Sequence, residues 1–153
     1  MENLLLIILI IPIVFFLYYF RFKLTHWEEF VLHFESEKRP ELNPIYGFWS
    51  EFRQSPKSYP LSNTILKVAT TAFGLYLQYD LKFEPIKFYK PVMIPWGNIS
   101  VEHSEEAKGK GCDEYIVTKS GSHVGSIFIQ TPISDQIVNE AKSFGVDIRV
   151  SSN

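Results

Sequence analysis

Hydrophobic residues follow three successive patterns along the chain. The first is an unbroken uncharged run from Leu4 to Phe20, seventeen residues of which fourteen are Leu, Ile, Val or Phe. As a helix it would extend about 26 Å, close to the thickness of a bilayer's hydrocarbon core. This predicts a transmembrane anchor over residues 1–23, with Tyr18, Tyr19 and Phe20 as an aromatic belt and Arg21 and Lys23 as a charged stop. Pro12 predicts a mild kink, because in lipid its freed carbonyl can be satisfied by local adjustment. Glu2 ahead of the run and bulky aromatics at its end argue against a cleaved signal peptide. Arg21, Lys23, Lys38 and Arg39 all follow the span. They orient the rest of the chain to the cytoplasm, as a single-pass protein of the inner (cell) membrane.

The second pattern is helical. Trp27, Phe30, Val31 and Phe34 fall at i, i+3, i+4 and i+7, and Thr25 with Glu28 is spaced as a capping box, so residues 25–36 are predicted as an amphipathic helix. Its polar face carries Glu28, Glu29 and Glu35, which anionic lipid would repel, favouring packing against the following domain. Lys38-Arg39-Pro40 and Asn43-Pro44 end this juxtamembrane helix and linker, residues 24–45.

The third pattern, over 46–153, is short strands of period two. Strands are predicted at 46–53, 64–71, 74–80, 92–96, 99–103, 115–119 and 124–130; Ser120-Gly121-Ser122-His123 signals a tight hairpin. A helix follows, with Thr131 as N-cap, Pro132 at N1, an apolar stripe of Ile137, Val138, Ala141 and Phe144, and Gly145 at its end. The alternation Val146, Ile148, Val150 predicts a further strand or a packed tail. The expected fold class is therefore α+β: a transmembrane helix, then a barrel of about seven antiparallel strands closed by a C-terminal helix, the element order of a pleckstrin-homology-like domain.

The segments HWEEFVLHF (26–34) and AFGLYLQYDLKFEPIKFYKPVMIPWGNISVE (72–102) resemble small, membrane-anchored, mostly uncharacterised bacterial proteins with a pleckstrin-homology-like domain. The positions that carry the resemblance are Gly74, Leu75, Tyr76 and Leu77, then Ile94, Pro95 and Trp96. It extends over residues 26–104 and implies a fold and a membrane location, but no reaction. Tyr89-Lys90-Pro91 stands where such proteins often have His-Pro.

Composition narrows the function classes. Fifteen Lys+Arg against seventeen Asp+Glu give a net charge of −2, which supplies no electrostatic ground for nucleic-acid binding. A 46% hydrophobic, 16% aromatic chain excludes global disorder, and one cysteine excludes an intramolecular disulfide. His26 and His33 are seven apart on the first predicted helix but lack an identifiable third ligand, so no metal is expected. Cys112 has no CxxC mate and no evident base; Gly109 and Gly111 precede a strand, the wrong context for a phosphate-cradling loop. Glu28-Glu29, Glu105-Glu106 and Asp113-Glu114 read as solvated charge. The expectation is no enzyme, no catalytic residue and no cofactor.

Two segments are candidates for contact. Arg53, Lys57 and Lys67 form a thin basic cluster around the first hairpin, able to dock an anchored domain on anionic lipid. In 82–90, Lys82, Phe83, Lys87, Phe88 and Lys90 interleave basic and aromatic side chains, suited to a bilayer interface or to a partner, with core cover as the alternative. The expected function is a membrane-anchored, non-catalytic interaction or scaffold module that binds a protein partner or an anionic lipid surface on the cytoplasmic side. The alternatives are an extracytoplasmic ligand-binding domain, in which Asn98-Ile99-Ser100 would be a sequon, and an enzyme of unknown class.

Overall fold

Alternating Val, Ile, Leu and Tyr residues need a sheet with one face turned inward, and the computed structural model shows how the chain supplies it. The structure describes residues 10–17, 19, 27–37, 45–53, 62–79, 90–103, 109, 111–148 and 150–151. Helix α1 is Trp27–Phe34, and eight strands follow: β1 Ile45–Arg53, β2 Ser62–Thr70, β3 Gly74–Tyr79, β4 Val92–Pro95, β5 Ile99–Glu102, β6 Cys112–Lys119, β7 Ser122–Gln130 and β8 Val150–Ser151. Helix α2, Thr131–Ser143, lies between β7 and β8. The strand order is β4-β3-β2-β1-β7-β6-β5-β8.

Register places the core residues in rows. Leu66, Val68 and Thr70 of β2 lie opposite Tyr79, Leu77 and Leu75 of β3; Leu77 and Leu75 in turn face Val92 and Ile94 of β4. In the other half, Ile99 and Val101 of β5 face Val117 and Tyr115 of β6, and Tyr115 faces Ile127 of β7. All of these except Thr70 belong to one buried apolar cluster, which also takes in Trp27, Phe30 and Phe34 of α1 and Ile137 and Ala141 of α2. Each such side chain contributes about 1.5–3 kcal/mol on burial. The two halves meet along a short seam, where only Glu51, Phe52 and Arg53 of β1 pair with Phe128, Ile127 and Ser126 of β7.

Three expectations are corrected. The sheet is not a closed seven-stranded antiparallel barrel: it has eight strands, β4 and β8 stand at its two ends, and β5 and β8 pair in parallel. With four residues each, β4 and β5 are joined head to tail through the 3-10 turn Trp96–Asn98 instead of pairing with one another. The expected transmembrane helix is corrected too, since among the described residues no helix is long and apolar enough to cross a membrane. Residues 10–17 are helical, but eight residues rise only about 12 Å. The rest of 4–20, apart from Tyr19, lies outside the described residues. The single-pass character, the inner-membrane location and the cytoplasmic orientation derived from that span fall with it. The third correction is local: Gln130, not Thr131, occupies the N-cap of α2 and makes no side-chain cap bond.

At the far end of α2 the chain stops as glycine chemistry dictates. Gly145 adopts φ +76°, its N–H donates to Lys142 O at 2.9 Å and the Val146 N–H donates to Ala141 O at 3.1 Å, the paired bonds of a Schellman motif. Gly74 is constrained differently: a Cβ there would lie 2.2 Å from the Ile94 carbonyl oxygen, so β3 and β4 approach closely only because the side chain is absent.

Two outcomes follow for stability. Gly74→Ala is expected to destabilise the fold by about 3 kcal/mol in urea unfolding, because backbone, not a flexible side chain, blocks the new methyl. Tyr115 is fully buried, its hydroxyl 2.9 Å from Ser134 Oγ. Burial pushes its phenol well above the usual tyrosine value, reinforced by Asp113 and Asp135 and opposed by the Ser134 bond. A raised folded-state value means that this contribution is whole below about pH 10 and is lost above it, as the unfolded chain ionises first. Unfolding free energy measured between pH 9 and 11 is therefore expected to fall more steeply for the wild type than for Tyr115→Phe, by up to about 1.4 kcal/mol per pH unit.

Candidate functional site

The Trp96–Asn98 turn gathers short connections that hydrogen bonds hold in place. Between β2 and β3, Thr71 organises the turn: its Oγ1 donates to Gly74 O at 2.9 Å and accepts from the N–H groups of Phe73 at 3.1 Å and Gly74 at 3.0 Å. The indole of Trp96 donates to Thr71 O at 2.8 Å, and the Trp96 N–H donates to Phe73 O. Asn98 Nδ2 donates to Thr118 O at 2.7 Å, which ties the 3-10 turn to the end of β6. Phe73 sits on this scaffold and is 84% exposed.

The β6–β7 hairpin turn follows directly on Thr118, the residue to which Asn98 is tied. Ser120 and Gly121 form its two-residue turn with φ of 53° and 80°, the left-handed pair that a tight hairpin of this hand requires. Lys119 and Ser122 are consequently opposite one another across the hairpin. The Lys119 ammonium lies 5.2 Å from the centroid of the Phe34 ring, which brings the hairpin beside the C-terminal end of α1. Between them is a cleft of about 630 Å³, lined by Glu29 and His33 from α1 and by Lys119, Ser120, Ser122 and His123 from the hairpin. His123 Nε2 is 3.2 Å from Ser126 Oγ. A smaller cleft of about 360 Å³, with Trp96, Ser100, Thr118 and Asp147 in its walls, lies at the end of β6.

The three described candidates, Arg53, Lys67 and Lys90, are placed elsewhere. Arg53 ends β1 in register with Ser126, and Lys67 is half-buried in β2 opposite Gln78. Lys90 immediately precedes the β4 region: its carbonyl accepts the Trp27 indole N–H at 2.9 Å, and its ammonium pairs with the Glu35 carboxylate. An exposed pair of this kind contributes at most about 1 kcal/mol. Lys57, Lys82, Phe83, Lys87 and Phe88 lie outside the described residues.

Of the histidines, His33 and His123 meet in the larger cleft, and His26 lies outside the described residues. His103 Nδ1 is 2.7 Å from Asp113 Oδ1, a nearly buried carboxylate that holds the ring's orientation. Asp113 and Glu114 are both buried, not the solvated pair that their spacing suggests. Cys112 is half-buried at the start of β6, not in the preceding turn. No group of three or more His, Cys, Asp or Glu residues among the described ones is placed to hold a metal ion. No family model matches the chain, and no curated protein matches it in sequence.

Sequence reasoning missed the cleft because His33 and Lys119 are eighty-six positions apart, and nothing in their spacing links the two. The one local signal was the Ser-Gly hairpin turn, which fixes what stands on either side of it. Thr71→Ala is expected to cost about 2 kcal/mol and to speed amide hydrogen exchange at Phe73 and Gly74, since it removes the acceptor for both N–H groups.

Proposed function

We propose that this chain is a non-catalytic interaction module that docks a protein partner at the end of the sheet bearing Phe73. A phenyl ring buries 150 Å² or more on association and dominates contact energy wherever it enters a pocket. Its worth depends on how little freedom it loses, and a side chain on a prefixed turn loses least.

The 84% exposure of Phe73 on the turn pinned by Thr71 and Trp96 carries this proposal. Single exposed apolar residues are common on protein surfaces and by themselves need no explanation. Phe73 differs in its setting. Its N–H is bound by Thr71 and its carbonyl by the Trp96 N–H, so the backbone that presents the ring is fixed on both sides. The complementary surface on the partner is an apolar pocket of phenyl size with a polar rim.

Substituting Phe73 is expected to leave stability within about 0.5 kcal/mol, because the ring makes little burial of its own. With a photo-activatable residue at position 73 of the full chain, cross-linking should give one discrete adduct. Excess unlabelled wild-type chain should compete it away, and excess Phe73→Ser chain should not. Diffuse labelling, or equal competition by the two chains, overturns the proposal.

A further inference from the structure

The cleft between α1 and the β6–β7 hairpin is lined by one ammonium, two hydroxyls, two imidazoles and a single carboxylate. Lys119 supplies an ammonium with three N–H donors, Ser120 and Ser122 supply hydroxyls, and His33 and His123 supply imidazole rings, one nitrogen of His123 being engaged by Ser126 Oγ. Only Glu29 is acceptor-only when ionised. A ligand that matches this wall carries several strong acceptor oxygens together and one donor apart from them.

We propose that this cleft binds a small phosphomonoester whose organic part carries a hydroxyl or amino group. A phosphomonoester presents three strongly accepting oxygens and between one and two negative charges near neutral pH. Lys119 and Ser122 are directly opposed across the two-residue turn, so their Cβ atoms stand roughly 5 Å apart and both can reach one phosphoryl group. The Phe34 ring faces the ammonium without neutralising it, unlike the carboxylate that engages Lys90. The His123 ring is braced by Ser126.

Glu29 defines the other half of the ligand. It lies one helical turn before His33 on the same face of α1, so it meets the ligand from the side opposite the hairpin. A carboxylate there repels a bare dianion and favours a ligand that offers it an N–H or O–H. The cleft's volume of about 630 Å³ is that of a small-molecule site and exceeds what inorganic phosphate alone would fill. This inference stands on different residues from the Phe73 proposal and does not depend on it.

The test is a titration of the full chain, followed by the imidazole proton resonances of His33 and His123, with glycerol 3-phosphate, inorganic phosphate and glycerol at constant ionic strength. Glycerol 3-phosphate should shift both resonances saturably and bind several-fold more tightly than inorganic phosphate, and glycerol should shift neither. Lys119→Gln, an exposed substitution whose folding is checked by its melting curve, should weaken glycerol 3-phosphate binding about tenfold. Glu29→Gln should reduce the preference for glycerol 3-phosphate over inorganic phosphate. Linear shifts that do not saturate, equal affinity for ester and free phosphate, or affinity unchanged in Lys119→Gln would each overturn the proposal.

Discussion

Three residues decide the shape of this protein. Strands β4 and β5 stand first and seventh in the strand order, which in a flat sheet would separate them by six spacings, about 29 Å. The Trp96–Asn98 turn that joins them allows only four residue steps from Pro95 to Ile99, about 14 Å at full extension. The sheet must therefore roll until its two halves face each other across a common core. Trp96 and Asn98 fasten the roll on both sides, one to Thr71 on the β2–β3 turn and the other to Thr118 on β6. Helix α1 reinforces it by packing against β4 in one half and β7 in the other.

The same constraint builds the candidate surface. Because the 3-10 turn draws the ends of the two half-sheets together, the β2–β3 turn, the β6–β7 hairpin and the end of α1 become neighbours although they are far apart in the chain. Phe73 and the polar cleft are thus both products of one closure. The Thr71 turn and the Trp96–Asn98 turn are stitched to each other and to β6 by buried or partly buried hydrogen bonds, and backbone held in this way loses little entropy when a ligand arrives.

What the sequence made legible was local. The alternation of Leu75, Leu77 and Tyr79, the stripe of Trp27, Phe30 and Phe34, the Ser120-Gly121 turn and the Gly145 helix stop each follow from periodicity or from glycine's freedom at positive φ. The motif positions Gly74, Ile94 and Trp96 acquire a physical meaning at one corner, where Gly74 admits the Ile94 backbone and Trp96 caps the Thr71 turn. Long-range relations were not legible. Nothing in the pattern around Val92 or Val150 says that β4 stays at one end of the sheet while β8 adds in parallel at the other. The apolar run at 4–20 matched a bilayer in length and composition, whereas among the described residues no helix is long and apolar enough to cross a membrane. Lys90 illustrates the limit for site residues: its spacing among aromatics suggested contact with lipid or a partner, and its pairing with Glu35 is a property of the fold that no spacing shows.

Whether the Trp96 link closes the sheet can be measured at a single proton. In this structure the Trp96 indole N–H is buried and donates to Thr71 O, so its hydrogen exchange in the full chain should be at least about a hundredfold slower than that of a free indole. Exchange at the free-indole rate in the folded protein would show that the indole is open to water. The rolled sheet, and the surface assembled by it, would then be contradicted.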